Sequence, residues 1–391
     1  MESSGVPEGV EYIALSYCWG KDGKLKTKKE TKRAMEQGIM TSRLPLAIFD
    51  AVMYTRALGL RYLWIDALCI IQDDEEDWRN ESAIMNDIYA NALLTLAAEC
   101  SASVDQGFVQ CTDEHGKIAT QPQNRFKSLE IGDDGRNVLV QARALPQYGY
   151  IIGYSTWSQR GWTLQEEVLS TRLLSFRFEL QWTCQESRIR ESDSFGSMLH
   201  LKFIRSTHLR TVSSPQDAFV EWQKLVLNYT ERKLTDYRDK LPAISGVAKA
   251  IHQTTGSSYI AGIWADNFSA DILWYSLDPK KTMNEASFIA PSFSWASVNS
   301  TTPNFDFDMG PESRYHPVAM LTWSHTVPIG NSQFGQIESG FIILKAPLLS
   351  TSLKAIDVSL ESIISPYRQN ISWYPETDLS AIEITDQDKT L

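Results

Sequence analysis

Apolar residues in the first hundred positions switch between two spacings. Tyr12 to Tyr17 is an apolar, β-prone run closed by Cys18, Trp19 and Gly20. It predicts a buried first strand with Ser16 and Tyr17 at its carboxyl edge. Residues 21–43 are charged and read as a loop. From Leu44, apolar residues recur at helical spacing through Ala47, Ile48, Ala51, Val52 and Leu58. Pro45 suits the first turn of this helix and Gly59 its stop. Leu60 to Ile65 predicts a second strand ending at Asp66. A loop over 67–77 leads into a helix over 78–92, with Gln72 and Asp73 expected to cap it. Leu93 to Ala98 is a third buried strand. The β-α-β-α-β order predicts parallel strands at 12–17, 61–65 and 93–98, joined by right-handed crossovers. Ligands of such sheets bind beyond the carboxyl ends of the strands, so Ser16, Tyr17, Trp19 and Asp66 should share one rim.

The rhythm breaks over 99–150. Gly132 to Gly135, between β-prone runs at 128–131 and 137–141, predicts an inserted hairpin. The stretch Arg160-Gly161-Trp162-Thr163-Leu164-Gln165-Glu166-Glu167 follows, with a short helix expected from its middle and strands at 173–178 and 180–184. Its polar groups are costly to bury unless each finds a partner, so the stretch is expected at a sheet rim, facing a cleft. Polar residues over 187–211 mark a boundary between regions 10–186 and 187–391. The second region predicts helices from Pro215, from Pro242 to about His252 and near 270–277, then strands at 293–296, 318–323 and 341–345. The fold expected is α/β: a parallel sheet flanked by helices, with an inserted hairpin, followed by a mixed α+β C-terminal region.

Composition narrows the function classes. A length of 391 residues suits two or three domains, and 12 tryptophans favour large cores or aromatic-lined clefts. The net charge is −11 and no long Lys/Arg stripe offsets it, which argues against nucleic acid as a partner. No apolar run approaches the ~20 residues of a membrane helix. Met1 to Gly5 lacks the basic and apolar regions of a signal peptide. The five cysteines form no CxxC pair, and Cys111 with His115 alone does not make a zinc site. A reduced, cytoplasmic protein without metal or membrane attachment is expected. Glycine-rich phosphate loops of the P-loop and Rossmann kinds are absent.

Three blocks now stand together. They are Tyr12 to Gly20, Leu63 to Asp74 with Met85, Ile88, Tyr89 and Ala92, and Arg160 to Glu166. In order and content they resemble the fungal heterokaryon-incompatibility (HET) domain, over about residues 10–180. Asp239 to Ala243 and Ala290 to Ser297 are similar to the C-terminal region that often accompanies that domain. The resemblance implies self/non-self recognition and regulated cell death, through protein partners or self-association. HET domains are in turn similar to Toll/interleukin-receptor (TIR) domains, some of which cleave NAD. Leu15-Ser16-Tyr17 resembles the end of the TIR first strand. Trp162-x-x-x-Glu166 resembles the TIR motif whose Glu is catalytic, with Thr163 where TIR domains often have Cys. This implies a TIR/flavodoxin-like sheet, NAD as a substrate and no bound cofactor. The alternative is a non-catalytic signalling or oligomerisation module.

Each candidate residue suits two roles. Glu166, the candidate catalytic carboxylate, either stabilises the oxocarbenium-like centre of N-glycosidic cleavage or pairs with Arg160 to hold a turn. Glu167 is expected to be exposed. Asp66 suits a ribose hydroxyl or the cap of the loop behind it. Trp19 and Trp162 suit stacking on a nicotinamide or adenine ring, or burial in the core. Ser16, Tyr17 and Arg160 complete the candidate substrate-binding set, against the simpler role of finishing a strand or a turn. Cys69 has no His near it in sequence and reads as an inert thiol.

Overall fold

The computed structural model describes residues 9–21, 25–109, 127–133, 136–142, 155–177, 180–184, 186–190, 214–276, 288–298, 303–304, 319–346 and 381–384. Strand β1 (Tyr12–Ser16) opens the fold and is followed by helices α1 (Lys32–Gln37) and α2 (Leu46–Ala57). Then come β2 (Tyr62–Trp64), α3 (Asp66–Cys69), α4 (Glu75–Asn91) and β3 (Leu94–Ala97). Two of these helices depart from the sequence expectation. Residues 32–37 form a helix inside the expected loop. Residues 66–69 form one turn, closed by Cys69 N–H to the Ile65 carbonyl at 2.8 Å and Ile70 N–H to that of Asp66 at 3.1 Å. Both are too short for apolar periodicity to reveal.

Helix α2 starts at Leu46, with Pro45 just outside it rather than in the first turn. Gly59 supplies the positive φ, +75°, that follows the helix end. Helix α4 is capped by Asp74, whose carboxylate accepts from the Glu76 and Asp77 N–H groups at 3.1 and 3.4 Å. Gln72 and Asp73 are not its caps: Gln72 donates to the Asp66 and Ile70 carbonyls, and Asp73 accepts from the Lys29 N–H.

The strands β6 (Arg172–Phe176), β7 (Leu180–Cys184) and β8 (Arg188–Arg190) complete a six-stranded sheet of order β2-β1-β3-β6-β7-β8. Pairs β1–β2, β1–β3 and β3–β6 are parallel, as expected for the first three strands. Pairs β6–β7 and β7–β8 are antiparallel. The first crossover runs from β1 to β2 and the second from β2 back past β1 to β3, so α2 and α4 cover opposite faces. Ile13 and Leu15 pack with Ala47, Ile48 and Ala51 of α2. Ala14 points the other way, to Met85 and Tyr89 of α4. Between β3 and β6 lie the antiparallel hairpin β4 (Lys127–Asp133) and β5 (Arg136–Ala142), where the sequence placed it, and helix α5 (Thr163–Leu169). Helix α5 ends at Leu169, ahead of the strand expected at 173–178.

The C-terminal region holds helices α6 (Pro215–Thr230) and α7 (Ser245–Thr255), then β9 (Tyr259–Ile260), β10 (Ile263–Trp264) and α8 (Phe268–Asp271). After them come β11 (Tyr275–Ser276), β12 (Pro303–Asn304), β13 (Met320–Pro328), β14 (Ile337–Lys345) and β15 (Ala381–Ile384). The helix expected near 270–277 is the single turn α8, after which the chain extends into β11. The strand expected at 293–296 is a tight 3₁₀ turn at Trp295–Ser297, which Ser294 holds by accepting the Ala296 N–H at 3.0 Å. Gly262, at φ +105°, lies so close to Trp295 that a Cβ would fall 2.7 Å from its indole nitrogen. Its carbonyl accepts from both Trp222 and Trp295, at 3.1 and 2.8 Å.

The expected boundary at 187–211 lies largely outside the described residues. On either side of it one hydrophobic cluster runs from Ala14, Tyr89 and Leu164 to Trp222, Trp264 and Trp295. Among the described residues, no helix is long and apolar enough to cross a membrane. Cys18, Cys69 and Cys184 carry free thiols. Cys100 is disulfide-bonded, which departs from the fully reduced chain expected.

Candidate functional site

The carboxyl edge of the sheet gathers six of the seven candidate residues. Strand β1 delivers Ser16 and Tyr17; β2 leads into Asp66, the first residue of α3; α5 carries Glu166. Ser16 Oγ donates to Glu166 Oε2, and the Trp157 indole N–H donates to Ser16 Oγ at 2.6 Å. Ser16, Glu166 and Trp157 are 1%, 3% and 1% exposed, so this chain of bonds is sealed from bulk water. The expectation of a carboxylate open to a cleft is therefore corrected. Each polar group has found a partner, which removes the penalty that argued for exposure.

Around this core stand the other candidates. Arg160 Nη1 donates to the Tyr17 carbonyl, and the turn that presents it is fixed by Thr163 Oγ1 donating to the Trp157 and Arg160 carbonyls at 2.7 and 2.8 Å. Asp66 accepts from Ala67 N–H at 2.6 Å and from the Trp19 indole at 2.9 Å. Lys26 Nζ sits 5.5 Å from the Trp19 ring centroid. Asp66, Trp19 and Arg160 are partly exposed and form the solvent side of the site.

Trp162 is the exception. Its indole donates to Asp239 at 3.1 Å and its ring meets Trp78 edge-on at 6.2 Å, away from Glu166. Trp162 stands one turn before Glu166, at the N-cap of α5, and its bond to Asp239 and contact with Trp78 hold the indole away from the carboxylate. Glu167, read as exposed, forms an ion pair with Arg232 at 3.3 Å, with side chains only 16% and 8% exposed. Cys69 Sγ accepts from the Ile65 N–H at 3.5 Å, and burial raises its pKa, as suits an inert thiol.

The electrostatics centre on Glu166. Burial raises its pKa from 4.5 to about 7, with the neighbouring Asp66 charge adding to the rise. Arg160, the Ser16 hydroxyl and Tyr89 pull the other way. Asp66 is also raised by burial, against the opposing pull of Arg160, the Ala67 N–H, Trp19 and Tyr17. Tyr17 and Tyr89 are raised well above the ordinary phenol range, first by burial and then by the nearby carboxylates. A carboxyl group poised near neutrality beside a guanidinium can serve as an acid, a base or a counter-charge. Among the described residues, no group of three or more His, Cys, Asp or Glu side chains is arranged to hold a metal ion.

Sequence pattern alone does not single out Trp157 or Tyr89. Tyr89 reads as one more apolar residue on α4, and Trp157 stands 141 positions from Ser16. Both belong to the site through tertiary packing.

The sequence model of the family described as Heterokaryon incompatibility protein (HET) matches residues 12–166. The chain carries a HET domain. The match starts at the first residue of β1 and stops at Glu166, and the Ser16–Glu166 bond ties the two ends of the HET domain together. A curated relative, heterokaryon incompatibility protein 6, OR allele, of Neurospora crassa, is 36% identical over 88 residues. That alignment covers 21% of this chain and spans 13% of the relative's length. No solved structure matches the chain significantly.

Proposed function

We propose that this chain acts in fungal heterokaryon incompatibility, coupling self/non-self recognition to regulated cell death, and that its HET domain works by cleaving NAD. The observation that carries the reading is the Glu166 carboxyl group, held by Ser16 at the carboxyl ends of parallel strands and raised to about 7 by burial. The HET match and the Neurospora crassa relative support the incompatibility role. A TIR-like sheet, cytoplasmic action and assembly with protein partners or further copies belong to the same proposal.

In this reading the bond between nicotinamide and ribose breaks with its electron pair leaving on the nicotinamide nitrogen. Water adds to the ribose carbon and releases a proton. Ionised Glu166 offsets the positive charge that develops on the ribose, while Asp66 accepts from a ribose hydroxyl and Trp19 packs against a ring. Arg160 faces the phosphates and holds part of the Glu166 population ionised at neutral pH.

The test is nicotinamide release from NAD by the purified chain, alone and after forced oligomerisation. Glu166→Gln keeps the size and removes the charge, so release should fall at least about 10²-fold with the fold retained. An active, stable Glu166→Gln protein removes Glu166 as the catalytic residue. One observation favours a second reading: Glu166 is only 3% exposed, as suits a structural carboxylate in a non-catalytic signalling module. A stable wild-type chain that releases no nicotinamide under either condition decides for that module.

A further inference from the structure

Helix α5 is poorly equipped to hold itself. It has seven residues, and its N-cap, Trp162, makes no side-chain capping bond. An isolated helix of this length does not persist in water. Beyond apolar packing on α4, its polar support comes largely from residues 232–246, a strap between α6 and the start of α7 that lies wholly beyond the HET match.

The strap holds the stretch 159–167 almost residue by residue. Lys233 N–H donates to the Gln159 carbonyl, and Gly161 N–H donates to the Lys233 carbonyl at 2.8 Å, giving a parallel bridge between Arg160 and Lys233. Leu234 fills the space where Gly161 has no side chain, since a Cβ there would fall 2.5 Å from Leu234 Cδ2. Trp162 donates to Asp239 at 3.1 Å, and the Gly246 N–H donates to Gln165 Oε1 at 3.3 Å. Arg232 grips α5 twice: Nη1 donates to Thr163 Oγ1 at 3.1 Å and Nη2 to Glu167 Oε2 at 3.3 Å. Thr163 and Glu167 stand one turn apart on one side of the helix. Glu166 alone among the polar residues of α5 turns from the strap to Ser16.

We propose that Arg232 is a positioning residue for Glu166, and that the 232–246 strap sets the geometry of the carboxylate site from outside the HET domain. The inference rests on reading Glu166 as the working carboxylate. It assigns the C-terminal region a task at this site. A partner or ligand that shifts the strap would reset the carboxylate without touching it.

The experiment uses the full chain with its glutamate side-chain carboxyls ¹³C-labelled. The Glu166 signal is identified by its loss in Glu166→Gln and followed through a pH titration. Arg232→Gln is compared with Arg232→Lys, which retains a cation but not the two-armed grip. The groups facing Glu166 are Ser16 from β1, Tyr17 and Cys18 just after it, Asp66 from α3, Tyr89 from α4, and Arg160. None of them is altered by these variants. Loosening α5 admits water and removes the burial that raises Glu166, so its midpoint should fall by about one pH unit or more in Arg232→Gln. Arg232→Lys should lie between. Losing a distant cation without loosening would move the midpoint up, so the direction separates positioning from charge alone. A midpoint that is unchanged or raised in a folded Arg232→Gln protein overturns the proposal. If that variant does not fold, Glu167→Leu removes one arm of the grip and leaves Thr163 and the turn that presents Arg160 in place, and an unmoved midpoint in it overturns the proposal. The titration requires no turnover. A wild type that releases no nicotinamide therefore defeats the NAD reading and leaves this result standing.

Discussion

The Trp157 indole donates to Ser16 Oγ at 2.6 Å, and Ser16 spends its own hydrogen on Glu166. The serine is thus an acceptor on one side and a donor on the other, fully used by two partners on a different segment of chain. Ser16→Ala breaks both bonds. The hydroxyl lowers the Glu166 pKa, so its loss should carry Glu166 above its present value of about 7. It also leaves the Trp157 N–H buried without an acceptor, which should cost about 1–3 kcal/mol of stability. Carboxyl titration by NMR reads the first effect and urea unfolding the second.

The same carboxyl predicts how stability follows pH. In the folded chain Glu166 releases its proton at about 7, against an ordinary value of 4.5. Between those values the native state holds more protons than the unfolded state. Its contribution to stability is therefore undiminished below pH about 4.5 and lost as pH rises to about 7, by a total on the order of 3 kcal/mol. Asp271, raised by burial to about 7, acts in the same direction. Unfolding midpoints measured from pH 4.5 to 8 should fall across that window, and Glu166→Gln should flatten part of the slope. A wild-type profile that rises with pH there would contradict the assignment.

Gly246→Ala sets two effects against each other. Alanine in place of glycine inside α7 should gain about 1 kcal/mol in helix propensity. The new Cβ, however, would fall 2.4 Å from Asn86 Cβ and 2.7 Å from Leu169 Cδ1. Asn86 Cβ is bonded directly to the α4 backbone and cannot swing aside. Overpacking of this kind costs about 1–3 kcal/mol or more, so net destabilisation is expected. Thermal unfolding checks it, and a variant as stable as wild type would show that α4 and α7 yield at this crossing.

Much of the HET sheet was legible because β1, β2 and β3 are short apolar runs bounded by Gly20, Asp66 and Glu99. Helices α2 and α4 carry longer apolar faces, so their existence was legible and only their ends shifted. Elements of one turn were not, since α3 and the turn at Trp295 are made by local side-chain and backbone bonds rather than by periodicity. The site divides in the same way. Ser16, Asp66 and Glu166 could be placed on one edge because topology sends strand ends, and the loops and helix starts that adjoin them, there. The burial of Glu166 could not, because its satisfaction depends on Trp157 and on a fold that closes over 150 positions. Arg232, 65 positions from Glu167, carries no signal in its own neighbourhood.

The bridge between Arg160 and Lys233 also bears on how the molecule opens. Gly161 N–H is held by the Lys233 carbonyl, and Lys233 N–H by that of Gln159, so neither amide can reach solvent while the pair is closed. Two stretches far apart in the chain are thereby joined into a single cooperative unit. Their amide hydrogens should exchange with solvent through one shared opening event, with one free energy, whatever the rates of the loops on either side.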